Sequence, residues 1–432
     1  MNFIAPENVH SILGKYMLVD GFKTVADLEK SKGSYIFDSR DNRFILDFYT
    51  NFASGPLGFN HPGLCGDEFV KKLGKAAINK VANSDLYSKE FAEFVEIFAR
   101  YTMPDSMKYL FFISGGALGI ENAFKASFDW KIRKTGNENL SCSIMHLREA
   151  FHGRTGYTLS VTNTADTNKT KYFTKFTWPR ITNPKINFPL DEKENQRVAE
   201  VEKRAFKEIA EACEKHGDEI AAFIMEPIQG EGGDNHFRKE FFQGVRELAD
   251  KYDFMLIFDE VQTGIGLTGK MWGYQHFGVE PDMLCFGKKT QVCGFYCGPR
   301  IDEVENHVFK VSGRINSTWG GNLVDMVRSQ RIQEIIAEEN LIENATKIGE
   351  LLLEQLIKLN EKKRVLSNIR GRGLFIAFDC PTKGFRDILI RNLLEKGLKV
   401  LPSGEKSIRL RPPLNLKEEE VFEAIKLMDR CL

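Results

Sequence analysis

No charge sign dominates this chain: 60 Lys and Arg balance 60 Asp and Glu, for a formal net charge of zero. No broad basic field therefore draws it to nucleic acid or to an anionic membrane. Apolar runs of bilayer length are missing as well, since Phe254–Phe258 and Ala221–Met225 are only strand-sized. The opening MNFIAPENVHSILGKY has neither a basic region followed by an apolar block nor an arginine-rich transit pattern, so a cytoplasmic location is expected. The 8 cysteines form no Cys-x-x-Cys pair and no Cys/His block at zinc spacing, which implies reduced, mostly buried thiols and no metal site. Internal repeats and low-complexity linkers are lacking too. What remains is an ordinary globular composition over 432 residues, 42% hydrophobic and 28% charged, long enough for more than one core. A small, locally recognised substrate is the expected partner.

From about residue 107 short apolar runs alternate with amphipathic helical stretches, the pattern of an α/β sheet covered on both faces. KYLFFI, CSIMHL, IAAFIMEPI, FMLIFDE and DMLCF read as strands. GIENAFKASFDWKIRK, RVAEVEKRAFKEIAEACEKHG and KEFFQGVRELADKY read as helices between them, so a mostly parallel sheet is predicted. Helix-forming sequence from Asp325 to Lys363, broken near Glu339 and Asn340, leads into a second α/β unit. That unit holds a strand GLFIAFD, a helix FRDILIRNLLEKG, a strand pair through KVLPSG and SIRLRP, and a last helix with Asn415 as its N-cap and Glu418 as a capping-box acid.

Gly264-Ile265-Gly266-Leu267-Thr268-Gly269 matches the dinucleotide fingerprint in letters but not in context. The position where an acid should follow, about 20 residues on, falls before the next strand has begun, and Met271 stands where a Walker-type loop needs Ser or Thr. Better chemistry lies at strand C-termini. FMLIF runs into Asp259, a carboxylate suited to a cationic heterocycle, and DMLCF runs into Gly287 and Lys288, an amine able to act as a Schiff-base nucleophile. Ser114-Gly115-Gly116-Ala117 opens a helix where backbone N–H groups and the dipole can hold phosphate. Phe151 and Arg154 follow CSIMHL with an aromatic face and a guanidinium. Phosphate cradle, aromatic platform, ring-nitrogen carboxylate and amine are together the parts that pyridoxal phosphate requires. His152, Cys293 and Cys297 read as structural, and Glu226 and Asp234 as capping or backbone-pairing acids.

NSDLYS, FFISGGALGIENAFK, AFHGRTGYTLSVTNT, EPIQGEGGDNHFR, IFDEVQTGIGLTG, FGKKTQVCG, NSTWGGN and RLRPPL occur in this order, and with them the chain resembles the class III aminotransferases over nearly its whole length. The resemblance implies the fold type I α/β architecture of pyridoxal-phosphate enzymes. An N-terminal segment (1–65) would pack with the small domain, followed by a large cofactor domain (66–324) and the small C-terminal domain (325–432). Lys288 would bond the cofactor and shuttle the proton, and Asp259 would keep the pyridine nitrogen protonated. Phe151 and Val261 would sandwich the ring, and Gln262 would bond its phenolic oxygen. Gly116 and Ala117 would hold the phosphate with Thr318 of a second subunit, making a homodimer. Arg154, Arg411 and Asn316 would contact substrates, with Glu231 pairing Arg411 and swinging away for 2-oxoglutarate. Where most of the class has Ser-Gly-Thr or Ser-Gly-Ser and a glycine run, this chain has GGAL and TQVCG. The branch acting on the ε-amine of L-lysine shows those forms, which favours lysine over 4-aminobutyrate or ornithine as donor.

Overall fold

Residues 4–432 are described by a computed structural model, and their strands fall into three sheets. The first holds β1 (Ala26–Lys32), β2 (Tyr35–Asp38) and β3 (Arg43–Asp47), paired antiparallel. The second has seven strands: β4 (Tyr109–Ile113), β5 (Ser143–Leu147), β6 (Arg180–Ile181), β7 (Ile220–Met225), β8 (Met255–Asp259), β9 (Met283–Phe286) and β10 (Cys293–Cys297). Their spatial order is β4-β10-β9-β8-β7-β5-β6.

The central strands read as unbroken apolar runs because both of their faces are covered. Phe223, Met225, Leu256, Phe258, Leu284 and Phe286 enter one core. Their neighbours Ala222, Ile224, Met255, Ile257, Met283 and Cys285 enter another, with Ile120, Ala123 and Phe124 of the helix Gly116–Thr135. The sheet is mostly parallel, as expected, with one strand that the sequence reading did not separate: β10 runs antiparallel to both β9 and β4. Residues 287–292 are too few for the dozen-residue crossover a parallel return needs, so the chain must turn back on itself.

The third sheet holds β11 (Ser367–Arg372), β12 (Phe375–Asp379), β14 (Leu401–Ser403) and β15 (Ser407–Leu410), all antiparallel. Between them β13 (Leu398–Lys399) leaves to pair parallel with β3, so the N-terminal sheet takes its fourth strand from the C-terminal region. The helical stretch before them is two helices, Leu323–Glu338 and Leu341–Lys363, and Asn340 at the break is left-handed with φ 52°. The last helix starts at Glu418, and Asn415 does not cap it. Its side-chain oxygen instead accepts from the Gly58 N–H at 2.9 Å, and Glu420 accepts from the Lys417 N–H at 2.8 Å.

All eight thiols are unpaired. Among the described residues no helix is long and apolar enough to cross a membrane, and no cluster of His, Cys, Asp and Glu could hold a metal ion.

Candidate active site

Parallel strands bring their C-terminal ends to one rim, where open α/β sheets bind ligands. Met225 of β7 lies beside Phe258 of β8, so Glu226 and Asp259 emerge as neighbours, and Asp259 lies beside Cys285 of β9, two residues before Gly287 and Lys288. The turns after β4 and β5 bring in Gly116, Ala117, Phe151, His152 and Arg154, completing one cavity of about 630 Å³. Val261, Gln262 and Glu231 line it as well.

Asp259 is buried, with its carboxylate fixed from both sides. Oδ1 accepts from the Val261 N–H at 3.0 Å, and Oδ2 meets His152 Nδ1 at 2.7 Å. Among the described residues it has no Lys or Arg ion-pair partner, and a buried carboxylate without one favours a cation placed against it. His152 was set aside as structural on the sequence, yet it is the side chain that orients this acid, and its Nε2 is buried with no partner.

Lys288 has φ 54°, an unusual conformation for a side-chain-bearing residue and one that clusters at functional sites. Burial, with Arg409 nearby, lowers its amine to about 8, so far more of it is free base near neutrality than for an exposed lysine. Lys289, the alternative one residue away, faces elsewhere. Its buried amine donates to the Ala53 carbonyl at 2.8 Å and the Gln262 carbonyl at 3.4 Å. The stretch it grips, Thr50–Ala53, is a left-handed turn with φ between 39° and 63°, and Ser54 immediately after it lines the cavity.

Gly116 and Ala117 begin the helix Gly116–Thr135, with Gly115 as N-cap at φ 108°. Their N–H groups therefore have no earlier carbonyl within the helix and are free for an anion. A Cβ on Gly116 would stand 3.2 Å from Val261 Cγ1, so the glycine keeps cradle and hydrophobic wall together. Gln262 Oε1 accepts from Arg411 at 3.1 and 3.2 Å, which leaves the NH2 end of the amide for a ligand oxygen. Gly230 is needed here, because a Cβ would fall 2.3 Å from Gln262 Nε2.

The arginines require a correction. Arg411 neither lines the cavity nor pairs with Glu231. It is fully buried, 2.7 Å from Asp234 Oδ2, with its guanidinium 3.4 Å from the centre of the Phe375 ring. Arg409, two residues earlier, meets Glu231 Oε2 at 2.9 Å, and Lys169 takes Glu231 Oε1. Alternate strand residues share a face, so Arg-Leu-Arg offers two guanidinium groups to one side and spacing alone does not choose between them. The choice follows from Asp234, which the sequence reading took for a capping or backbone-pairing acid and which instead pairs with Arg411. Burial works to raise the Glu231 carboxyl, but Arg409 and Lys169 outweigh it and hold it below the usual carboxylate range. Arg154 lines the cavity, and among the described residues no carboxylate pairs with it.

Two further residues stand apart. Asn316 and Thr318 are exposed on a loop and do not line the cavity. Glu226, read on the sequence as a capping or backbone-pairing acid, accepts from the Phe151 and Gly230 N–H groups at 3.0 and 2.9 Å and also lines the cavity, which that reading did not foresee. Burial, reinforced by Asp259, raises it to about 7. The fingerprint-like glycines serve close packing: Cβ atoms on Gly266 and Gly269 would run into Ile342 and Thr346 of the helix Leu341–Lys363.

The set fits pyridoxal phosphate: an amine, a fixed carboxylate free of Lys or Arg partners, and open helix N–H groups share one cavity. Residues 16–432 match the family model "Aminotransferase class-III", and the chain belongs to that family. Its cofactor is accordingly pyridoxal 5'-phosphate.

The particular relatives are equally informative. An L-lysine-epsilon aminotransferase of Mycobacterium tuberculosis is 50% identical over 99% of this chain and 96% of that protein. A solved structure of lysine aminotransferase from M. tuberculosis in the internal aldimine form superposes with a TM-score of 0.96 at 49% identity, covering 99% of both chains. A 4-aminobutyrate aminotransferase of Dictyostelium discoideum is 33% identical over 94% of this chain and 85% of that protein.

Proposed function

We propose that this enzyme transfers the ε-amino group of L-lysine to 2-oxoglutarate, giving L-glutamate and 2-aminoadipate 6-semialdehyde, which cyclises to a piperideine carboxylate. The observation that carries the reading is one free and one covered arginine at the same site: among the described residues Arg154, which lines the cavity, has no acidic partner, whereas Arg409 is held by Glu231, which lines the cavity too. A donor reacting at its terminal amine has no carboxylate beside the reacting carbon, so Arg409 must be neutralised while the distant α-carboxylate reaches Arg154. 2-Oxoglutarate has two carboxylates and uses both arginines once Glu231 moves away. The 50% identity to a lysine enzyme against 33% to a 4-aminobutyrate enzyme supports the same donor.

When bound, the cofactor supplies an electron sink for the carbon that loses a proton. Asp259, fixed by His152 and the Val261 N–H, keeps the ring nitrogen protonated and so keeps that sink deep. Lys288 is the amine that holds the cofactor and, once displaced, carries the proton at the reacting carbon; its lowered basicity suits a group that must both take and return it. Gly116 and Ala117 hold phosphate, Phe151 and Val261 face the ring, and Gln262 donates to its oxygen. Thr318 and Asn316, exposed in the single chain, serve the cavity of a second subunit, so the working unit is a homodimer. The eight unpaired thiols suit a reducing compartment, and we place the enzyme in the cytoplasm.

The test is product analysis with a panel of amine donors and 2-oxoglutarate. Lysine should be consumed with formation of the cyclic imine, and Lys288→Ala should lose the activity by a factor of about 10⁴ or more. Faster consumption of 4-aminobutyrate or ornithine would overturn the donor assignment.

A further inference from the structure

Glu231 is held by two cations, one on each oxygen: Arg409 on Oε2 and Lys169 on Oε1. The two come from separate parts of the chain. Arg409 lies on β15 and is buried, whereas Lys169 ends a single helical turn, Thr167–Lys169, and is about one-third exposed. A carboxylate with one partner must become bare, in a partly buried place, before that partner can serve a substrate. With two partners it can leave one and stay on the other.

We infer that Lys169 is a positioning residue for the acceptor half of the reaction. It is the landing partner that keeps Glu231 while Arg409 turns to the second carboxylate of the keto acid. The inference rests on the acceptor being a dicarboxylate, as proposed above. Among the described residues Glu231 is the only ion-pair partner of Lys169, so the lysine has no competing anchor. Asp166, at the start of the same turn, accepts from the Asn168 N–H at 3.2 Å and steadies the segment that presents it. Lys169 touches neither Lys288 nor Asp259, so its effect should fall on the balance between covered and uncovered Arg409 rather than on proton transfer.

The sign of the effect separates this role from a merely structural one. If Lys169 stabilises the uncovered state, removing its charge leaves Glu231 on Arg409 more of the time and weakens dicarboxylate binding. If Lys169 only pins Glu231 in the covered position, removing it strengthens that binding.

The experiment is calorimetric titration of the holoenzyme with glutarate, a dicarboxylate of the acceptor's length without the reacting keto group. Lys169→Met should weaken glutarate binding about tenfold and raise the KM for 2-oxoglutarate in parallel, with a smaller change in the KM for lysine. Lys169→Arg should restore wild-type binding to within about twofold, and Lys169→Met should have no effect in a Glu231→Gln background. Unchanged or tighter glutarate binding in Lys169→Met would overturn the role. If the wild-type enzyme turns over lysine with another acceptor but binds no glutarate, the dicarboxylate reading itself fails and this inference falls with it.

Discussion

Arg411 with Asp234 and Arg409 with Glu231 are the same chemistry two residues apart, at 2.7 and 2.9 Å, yet they occupy opposite situations. Both members of the first pair are 0% exposed, whereas Glu231 keeps 21% of its side chain accessible and shares itself with Lys169. The sealed pair has nowhere to go: Arg411 also donates to the Leu410 and Ile376 carbonyls and to Gln262. It fixes β15 and the Gln262 amide in place. In the open pair Glu231 lines the cavity, which leaves room for a ligand carboxylate to take its place on Arg409. Burial and spare hydrogen bonds, more than the identity of the two residues, separate a structural ion pair from one suited to switching.

The comparison can be broken most forcefully at Asp234. Asp234→Ala strands a buried guanidinium, and chemical denaturation should show a loss of about 3–5 kcal/mol. A loss below about 1 kcal/mol would mean that the pair is not sealed.

A smaller effect is expected from Glu226, a buried acid with no ion-pair partner. Its folded value of about 7 lies above that of a free carboxyl, so the folded state binds the extra proton more tightly. Its contribution is therefore fully present below about pH 4.5 and is lost as pH rises through about 7, on the order of 3 kcal/mol in all. Glu226→Gln carries a pH-independent offset, because one backbone N–H loses its acceptor. Relative to that offset, cofactor-free Glu226→Gln should gain on the wild type between pH 5 and 8, and a flat difference across that range would refute the elevated value.

The smallest change in stability belongs to the open pair. Glu231→Ala should cost about 1–2 kcal/mol, less than Asp234→Ala, since Glu231 is partly exposed and its removal opens the cavity toward Arg409. The same variant should raise the KM for lysine about tenfold while leaving that for 2-oxoglutarate equal or lower. A stability loss matching that of Asp234→Ala would erase the distinction between the pairs.

Most of the large sheet was legible because its strands are buried on both faces and so read as plain apolar runs. β10 was not, since CGFYC lies close after β9 and its direction is set by the short connection rather than by its own composition. Lys288 and Asp259 could be picked out because each ends a legible strand, which fixes the rim it faces. Arg409 was missed in favour of Arg411 because both lie on one side of an extended segment, and what separates them is Asp234, far away in sequence. His152 was discounted because nothing local to it points to Asp259, 107 residues on. The resemblance to a family supplied roles, but the pairing of acids with arginines needed the tertiary arrangement.

The grip of Lys289 on Ala53 ties the opening stretch of the chain to the neighbour of the reactive amine. Ser54, the next residue along, is thereby held as part of the wall of the reaction chamber. A segment more than two hundred residues from Lys288 in sequence therefore shares in shaping the chamber around it, through one buried amine and one left-handed turn.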